Sequence, residues 1–393
     1  MARFLIVGGS FGGLTTAFEL RRSLGSPAKI AVLSDTERFT FLPSLPWLAM
    51  GYKRPESLVF DIRKPLARKG IEFIRGEASS IDPARQIVTA EEKELPYDYL
   101  IMATGASLDF EAIPGLGPTA HTTSILTLEH SLAARDRLGR VLGKEEGHIV
   151  VGSAQGASCL GPAYELILMI DQELRRRHKR HRFHLDFITP EPFLGHFGIG
   201  GMGKASRLFE DEFADRDIGF HLNAVIVGVA ADSLSLADGT ILRHDFAMIV
   251  PSFLGVPAVR DSPGVGNPKG FIPVDDRYAH PSIPNLYAVG VSVAIPPPAT
   301  TPVPVGVPKT GNMTLQMATA AARSMAAAVR NEAAPPGQPL SITCLADAGN
   351  TAFFMSAAPV LPPRQRMFAK KGRWAHFLKI GLEQYLMWKL QQG

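Results

Sequence analysis

Apolar positions fall into two rhythms along this chain. Residues 3–7 (RFLIV) form a short apolar run that breaks into glycines and then into TTAFELRRSL, where apolar positions recur at helical spacing. That pattern predicts strand, turn and helix. Residues 29–33 (KIAVL) predict a second strand ending at Ser34 and Asp35, which closes a βαβ unit. Residues 71–74, 86–90 and 97–102 predict further strands, and Ala103-Thr104-Gly105 follows the last of them directly. The opening theme returns at 148–170, with a strand (HIVVG), a small-residue turn and a helix (GPAYELILMI), then a strand at 184–188. Past Pro251 come Pro/Gly-rich loops, a strand at 285–290 (NLYAVG), a Pro-rich loop at 296–308 and an Ala-rich helix near 312–330. Pro335-Pro336-Gly337 predicts a linker. In the tail, apolar or small residues at 374, 377, 378, 381, 382, 385 and 386 trace a helical stripe.

The expected fold class is therefore α/β, with two Rossmann-like domains and a C-terminal amphipathic helical module. The first domain is expected to be discontinuous, over 1–115 and 256–334, and to bind the cofactor. The second is expected over 116–255 and the tail module over 335–393.

The chain has 393 residues, more than the ~250–300 that a single core usually holds. Its formal net charge is +4, with basic residues concentrated at 175–182 (RRRHKRHR) and 364–379. Such patches suit anionic lipid or nucleic acid. The first run reads as a solvated helix end complementing the dipole, so no nucleic-acid partner is expected. The two cysteines, Cys159 and Cys344, exclude a disulfide-stapled scaffold and any Cys-based metal site; no metal is expected. No CxxC spacing is present, so the chain is not an ordinary dithiol reductase. The N-terminal apolar stretch is too short and glycine-broken for a signal peptide, and no apolar run reaches the ~18 residues of a membrane span.

Gly8-Gly9-Ser10-Phe11-Gly12-Gly13 follows a predicted strand and opens a predicted helix, the context that the dinucleotide fingerprint requires. Without bulky Cβ atoms, the amides at that helix start can face a pyrophosphate. Ser10 stands where the middle glycine is usual. Asp35 is set for ribose hydroxyls, and Thr104 and Gly105 support the reading. Flavin is favoured over nicotinamide because the strand at 285–290 feeds another glycine turn at Gly290.

The second turn reads Gly152-Ser153-Ala154-Gln155-Gly156-Ala157-Ser158-Cys159. Two of its three fingerprint positions are alanine, and its second strand ends in Thr189 rather than an acid. Both changes remove features that hold a nicotinamide dinucleotide. Cys159 is expected at the start of the following helix, where the dipole favours a thiolate.

Five segments resemble the sulfide:quinone oxidoreductases: SDTERFTFLPSLPWLAMG (34–51), VGSAQGASCLGPAYE (151–165), AIPPPATTPVPVGVPKTGNM (294–313), CLADAG (344–349) and KKGRWAHFLKIGLEQYLMWKL (370–390). The resemblance spans nearly the whole chain. It implies FAD as cofactor, Cys159 and Cys344 as a redox pair beside it, and Glu165 as a nearby acid–base group. It puts His130 and His196 where family members carry active-site histidines, and Lys309 at the pyrimidine end of the flavin. Ser34, Pro43, Ser44 and Ala78 join the implied flavin contacts. Gly311, Phe353, Phe354, Lys379 and Leu382 are the implied quinone contacts.

Many members carry a third cysteine where Leu126 stands here, which puts chemistry requiring three sulfurs in doubt. The implied partners are hydrogen sulfide, a membrane quinone and the lipid surface, with the tail as a monotopic, peripheral anchor on the cytoplasmic membrane; homo-oligomerisation is left open. Three rival readings stand beside this one: a type II NADH:quinone dehydrogenase, the flavin subunit of a cytochrome-linked sulfide dehydrogenase, and a non-catalytic flavin- or lipid-bound adaptor.

Overall fold

The computed structural model describes residues 2–393. Its first sheet has five parallel strands in the order Leu286–Ala288, Tyr99–Met102, Arg3–Val7, Lys29–Ser34 and Glu72–Arg75. A parallel sheet covered on both faces needs continuous apolar strands, and Phe4, Leu5, Ile6 and Val7 are all buried. The strand near 285 thus joins a sheet otherwise built from the first hundred residues. On it pack the helices Phe11–Leu24 and Gly311–Val329, against each other.

The second sheet is also parallel, in the order Gly219–His221, Phe183–Ile188, Gly147–Ser153 and Phe246–Val250. Its central helix, Gly161–Arg176, is buried along most of its length. At the end of that helix, Arg175, Arg180 and Arg216 converge on the fully buried Asp171, while Arg176 and Arg177 share Glu173. The basic run at 175–182 is therefore largely consumed by internal carboxylates.

The tail carries the expected C-terminal helix and, ahead of it, a sheet that the periodicity did not predict. It begins as an antiparallel three-stranded sheet, Ile342–Asp347, Ala352–Ala358 and Arg366–Gly372, before the helix Arg373–Gln392. The reason lies in short period-two stretches such as AFFMSAA, whose alternate residues enter the core. Ile342, Phe353, Met355 and Ala357 are continuous with the main core, so this sheet is not a detached module. Among the described residues, no helix is long and apolar enough to cross a membrane.

Candidate active site

The first glycine turn has no room for side chains. A Cβ on Gly8, whose φ is +114°, would lie 2.3 Å from the Ala103 oxygen, and one on Gly13 would lie 1.8 Å from the Gly8 oxygen. Gly9 abuts Ile62 and Ser34, and Gly12 abuts Val289 beside Gly290. Gly8 N–H donates to the Leu33 carbonyl at 2.7 Å. Leu14 is the first residue whose amide reaches back, to the Ser10 carbonyl, so the amides of Phe11, Gly12 and Gly13 at the helix start have no intrahelical acceptor. Thr104 contributes a buried hydroxyl with no protein partner. Asp35 stands exposed just past the second strand. A bare backbone cradle, a helix start and an orphaned hydroxyl fit a dinucleotide pyrophosphate.

The second glycine turn is closed. Gly156 N–H donates to the Pro304 carbonyl at 2.6 Å, Ala157 N–H to Ala154, and Ala154 N–H to Val250. The Gln155 side chain exchanges two hydrogen bonds with the backbone of Ile226, at 3.0 and 3.1 Å. Thr189, at the place of the ribose-binding acid, donates its hydroxyl to Glu191 at 2.7 Å. The same buried carboxylate accepts from Tyr164 and from the Phe197 amide, each at 2.6 Å. The groups that would receive a nicotinamide dinucleotide hold protein instead.

What closes the second turn also assembles the redox site. The Pro-rich loop is hydrogen-bonded to the Cys159 turn through Pro304 and through Gly306 N–H to Ala157, and Gly306 lies directly on Ser158. That loop continues to Lys309 and the helix Gly311–Val329, which packs on the first Rossmann helix. From the other side, the helix after Cys159 packs on the strand carrying Cys344. The two half-buried thiols carry no disulfide, and they lie near enough that charge on Cys159 raises Cys344. The expected thiolate at Cys159 is corrected: burial pushes it up to about 11 and Cys344 up to about 12. Cys159 precedes the first helical residue, Gly161, by two positions, and loss of water outweighs the dipole there.

Lys309 rests over the Phe271 ring at 4.6 Å, and burial lowers it to about 8. Glu165 is buried and pairs with the equally buried Lys379 of the tail helix. Burial raises Glu165 to about 7 against the opposing pull of Lys379. His196 is buried and its Nδ1 accepts from the Gly198 amide at 3.1 Å, which leaves Nε2 as the free nitrogen. Burial first, and then the charge of Arg364, hold it below the usual histidine range. His130 packs edge-on to Phe110, hydrogen-bonds Thr127 through its backbone amide, and is lowered by burial. Its hydrogen bond and its ring contact engage neither cysteine.

The remaining sequence candidates divide. Pro43 is exposed, and the Ser44 hydroxyl is committed to Glu383 of the tail helix. Ala78 opens an antiparallel strand, Ala78–Asp82, with a bulge beside it. Gly311 begins its helix in open space. Phe353 is fully buried and stacked on Phe209 at 4.6 Å. Phe354 is half-buried against Phe368 and Trp374, and Leu382 is exposed.

Sequence reasoning missed the inner face of the tail helix. There His376 meets Asp347 at 2.5 Å, Lys379 meets Glu165, and Glu383 meets Lys53 at 2.6 Å as well as Ser44. Trp47 lies among them, with Lys379 over its ring at 4.5 Å and Lys53 at 5.3 Å. Positions 376, 379 and 383 share one helical face. That spacing was the available signal, but it marks a solvated face as readily as a buried one.

The outer face is the reverse, with Trp374, Phe377, Leu378, Leu382, Tyr385 and Trp388 all exposed, joined by Met367 and Phe368 of the preceding strand. A helix with ions inside and aromatic side chains outside is inverted relative to one docked on a water-soluble core.

Residues 2–158 match the model of the pyridine nucleotide-disulphide oxidoreductases. A sulfide-quinone reductase of Aquifex aeolicus (strain VF5) is 41% identical over 99% of this chain and 91% of its own length. A mitochondrial sulfide:quinone oxidoreductase of Mus musculus is 23% identical over 74% of this chain and 66% of its own. The X-ray structure of the Aquifex aeolicus sulfide:quinone oxidoreductase superposes with a TM-score of 0.95 at 39% identity, covering 100% of this chain and 92% of that one. The chain belongs to the sulfide-quinone reductase family of FAD-dependent oxidoreductases.

Proposed function

We propose that this protein oxidises hydrosulfide at Cys159 and Cys344 and passes the electrons through FAD to a membrane quinone. One observation supports the reading: the helix that follows Cys159 packs on the strand carrying Cys344, which sets two cysteine-bearing segments remote in sequence against each other. FAD would be held by the Gly8–Gly13 turn, Thr104, Gly105 and Lys309, and when bound it supplies a two-electron acceptor that a quinone can reoxidise.

Hydrosulfide attacks the oxidised Cys159–Cys344 bridge. The bridging S–S bond breaks, a new S–S bond forms to the incoming sulfur, and the other cysteine departs as a thiolate that holds the electron pair. Splitting the oxidation through a covalent sulfur intermediate is the usual advantage of a thiol nucleophile. Burial disfavours a free thiolate, so the departing cysteine needs a proton donor or an electron acceptor at hand. A second nucleophile then carries away the sulfane sulfur and leaves both cysteines reduced; re-forming their bridge releases two electrons, for which bound FAD would be the acceptor. Glu165, held near neutrality, is suited to accept and release protons there. Lys309 is a half-buried cation for charge developing on the flavin.

The aromatic outer face of the tail helix is proposed to lie in lipid, with Arg366, Lys370, Arg373 and Lys389 at the headgroups. Quinone would then approach along the tail helix near Phe354 and Leu382. The closed second glycine turn disfavours the NADH dehydrogenase reading.

The test is anaerobic spectroscopy on the purified yellow protein. Sulfide should bleach the flavin, NADH should not, and a short-chain quinone should restore the colour. Bleaching by NADH with none by sulfide would overturn the proposal.

A further inference from the structure

Buried carboxylates of the second Rossmann unit are matched by permanent cations: Asp171 by Arg175, Arg180 and Arg216, and Glu173 by Arg176 and Arg177. The cluster under the tail helix is not. Its three carboxylates, Glu165, Asp347 and Glu383, face two ammonium groups, Lys379 and Lys53. Glu165 pairs with Lys379, and Asp347 lies near enough that its charge raises the Glu165 carboxyl. Glu383 takes Lys53 at 2.6 Å and the Ser44 hydroxyl. Asp347, fully buried, takes the Gly349 amide at 2.7 Å and meets His376 Nδ1 at 2.5 Å. Other charges against the tail helix are engaged elsewhere, Arg68 at the Gln391 carbonyl and Lys371 with Glu212.

While His376 is neutral, the cluster is one positive charge short. An uncompensated charge out of water is costly, so a single proton completes the set, and two members can carry it. One is Glu165, which burial raises to about 7 against the pull of Lys379. The other is His376, of a residue type that changes charge between pH 5 and 8. Its Nδ1 faces a carboxylate and carries hydrogen, so Nε2 is the nitrogen that gains or loses the exchanging proton. The side chain is 21% exposed, at the border of the ionic and aromatic faces, edge-on to Trp47 and Phe377. Tyr52 feels Glu173, Arg176 and Asp347, but burial pushes its phenol up to about 12 and it stays neutral. Glu191 is also raised by burial to about 7, yet its partners are neutral hydroxyls and an amide, whose charge does not change.

Turning quinone into quinol takes two electrons and two protons. Hydrosulfide supplies both electrons and one proton as it becomes sulfane sulfur, so one more proton comes from outside. We propose that the cluster under the tail helix holds that proton, and that His376, through Asp347, sets when Glu165 releases it to quinone oxygen. A proton arriving on His376 Nε2 offsets the Asp347 charge that helps to hold the proton on Glu165. His376 acts through Asp347 and is a positioning residue. The proposal rests on the reading that this chain reduces quinone beside the tail helix.

Infrared difference spectra of the resting oxidised protein across pH follow the protonated-carboxyl band that Glu165→Gln removes. The midpoint of that band should fall by about one pH unit in Asp347→Asn and in His376→Lys, where the negative charge is lost or permanently offset. In His376→Gln it should rise by about half a unit. Mere loosening of the tail helix would rehydrate Glu165 and lower the midpoint in all three. The second readout is reoxidation of dithionite-reduced protein by a short-chain quinone, which needs no sulfide. It should slow about tenfold in His376→Ala and recover with added imidazole. A midpoint in His376→Gln that falls or stays put, or a loss in His376→Ala that imidazole leaves unchanged, would overturn the proposal. Wild-type protein that quinone reoxidises but sulfide fails to bleach would instead remove the sulfide reading and leave this assignment standing.

Discussion

Removing Lys379 tests how the tail is bound to the catalytic body. Glu165 and Lys379 are both nearly inaccessible, and the ammonium also sits over Trp47. Lys379→Met would leave Glu165 buried with no cation, and breaking a buried pair by deleting one partner typically costs 3–5 kcal/mol. The carboxyl has an escape, because it can take up a proton. The intact protein already holds this carboxyl near 7, so keeping it neutral in the variant costs, beyond wild type, about 1.4 kcal/mol for each pH unit above 7, which caps the extra loss. The sign follows: a carboxyl raised in the folded state destabilises increasingly as pH climbs above its unfolded value, and raising it further adds a penalty only above the wild-type value. The extra penalty should therefore shrink as pH falls and be nearly gone below about pH 7. Urea unfolding of Lys379→Met and wild type at about pH 6 and about pH 9 should show losses near zero and of about 2–3 kcal/mol. Adding Glu165→Gln should restore most of the stability at the higher pH. A loss that ignores pH, or a double variant no better than the single, would refute the reasoning.

Further outcomes follow from the same geometry. Gly13→Ala should yield protein with at least tenfold less bound flavin, measured by absorbance ratio, since its Cβ would meet the Gly8 oxygen at 1.8 Å. Replacing Trp374, Phe377 and Trp388 with serine should abolish flotation with anionic vesicles and leave unfolding unchanged, because these side chains are already exposed. Glu191→Ala should cost about 3 kcal/mol and free the loop bearing His196, as three buried donors lose their acceptor; limited proteolysis near 196–203 would report it. Raising pH through about 8 should discharge Lys309 and weaken retention of reduced flavin, as measured by ultrafiltration, whereas Lys309→Arg should remain flat over that range.

Much of this architecture is legible in the sequence because glycine turns, apolar runs and helix periodicity are local signals. The two Rossmann starts at Gly8 and Gly152 follow from them. So does the capture of residues 285–290 by the nucleotide-binding unit. Other features depend on what a segment packs against. The stripe at 374–385 reads equally as a core-facing or an outward-facing surface, and only the burial of Lys379 and Glu383 decides it. Phe353 and Phe354 are adjacent on a strand and point to opposite sides, so a pair that looks equivalent in sequence splits into a core residue and a surface one. The dipole argument at Cys159 weighs one local field and omits the desolvation that tertiary packing imposes. Ser44 and Glu383 lie 339 positions apart, and no local pattern predicts their hydrogen bond.

Mass spectrometry of the cysteine peptides reaches the central claim most directly. Oxidised protein, digested without reductant, should yield a cross-link between the peptides of Cys159 and Cys344. One equivalent of sulfide under anaerobic conditions should replace it with a peptide one sulfur atom heavier at a single cysteine. Two unmodified thiols after sulfide has bleached the flavin would contradict the account.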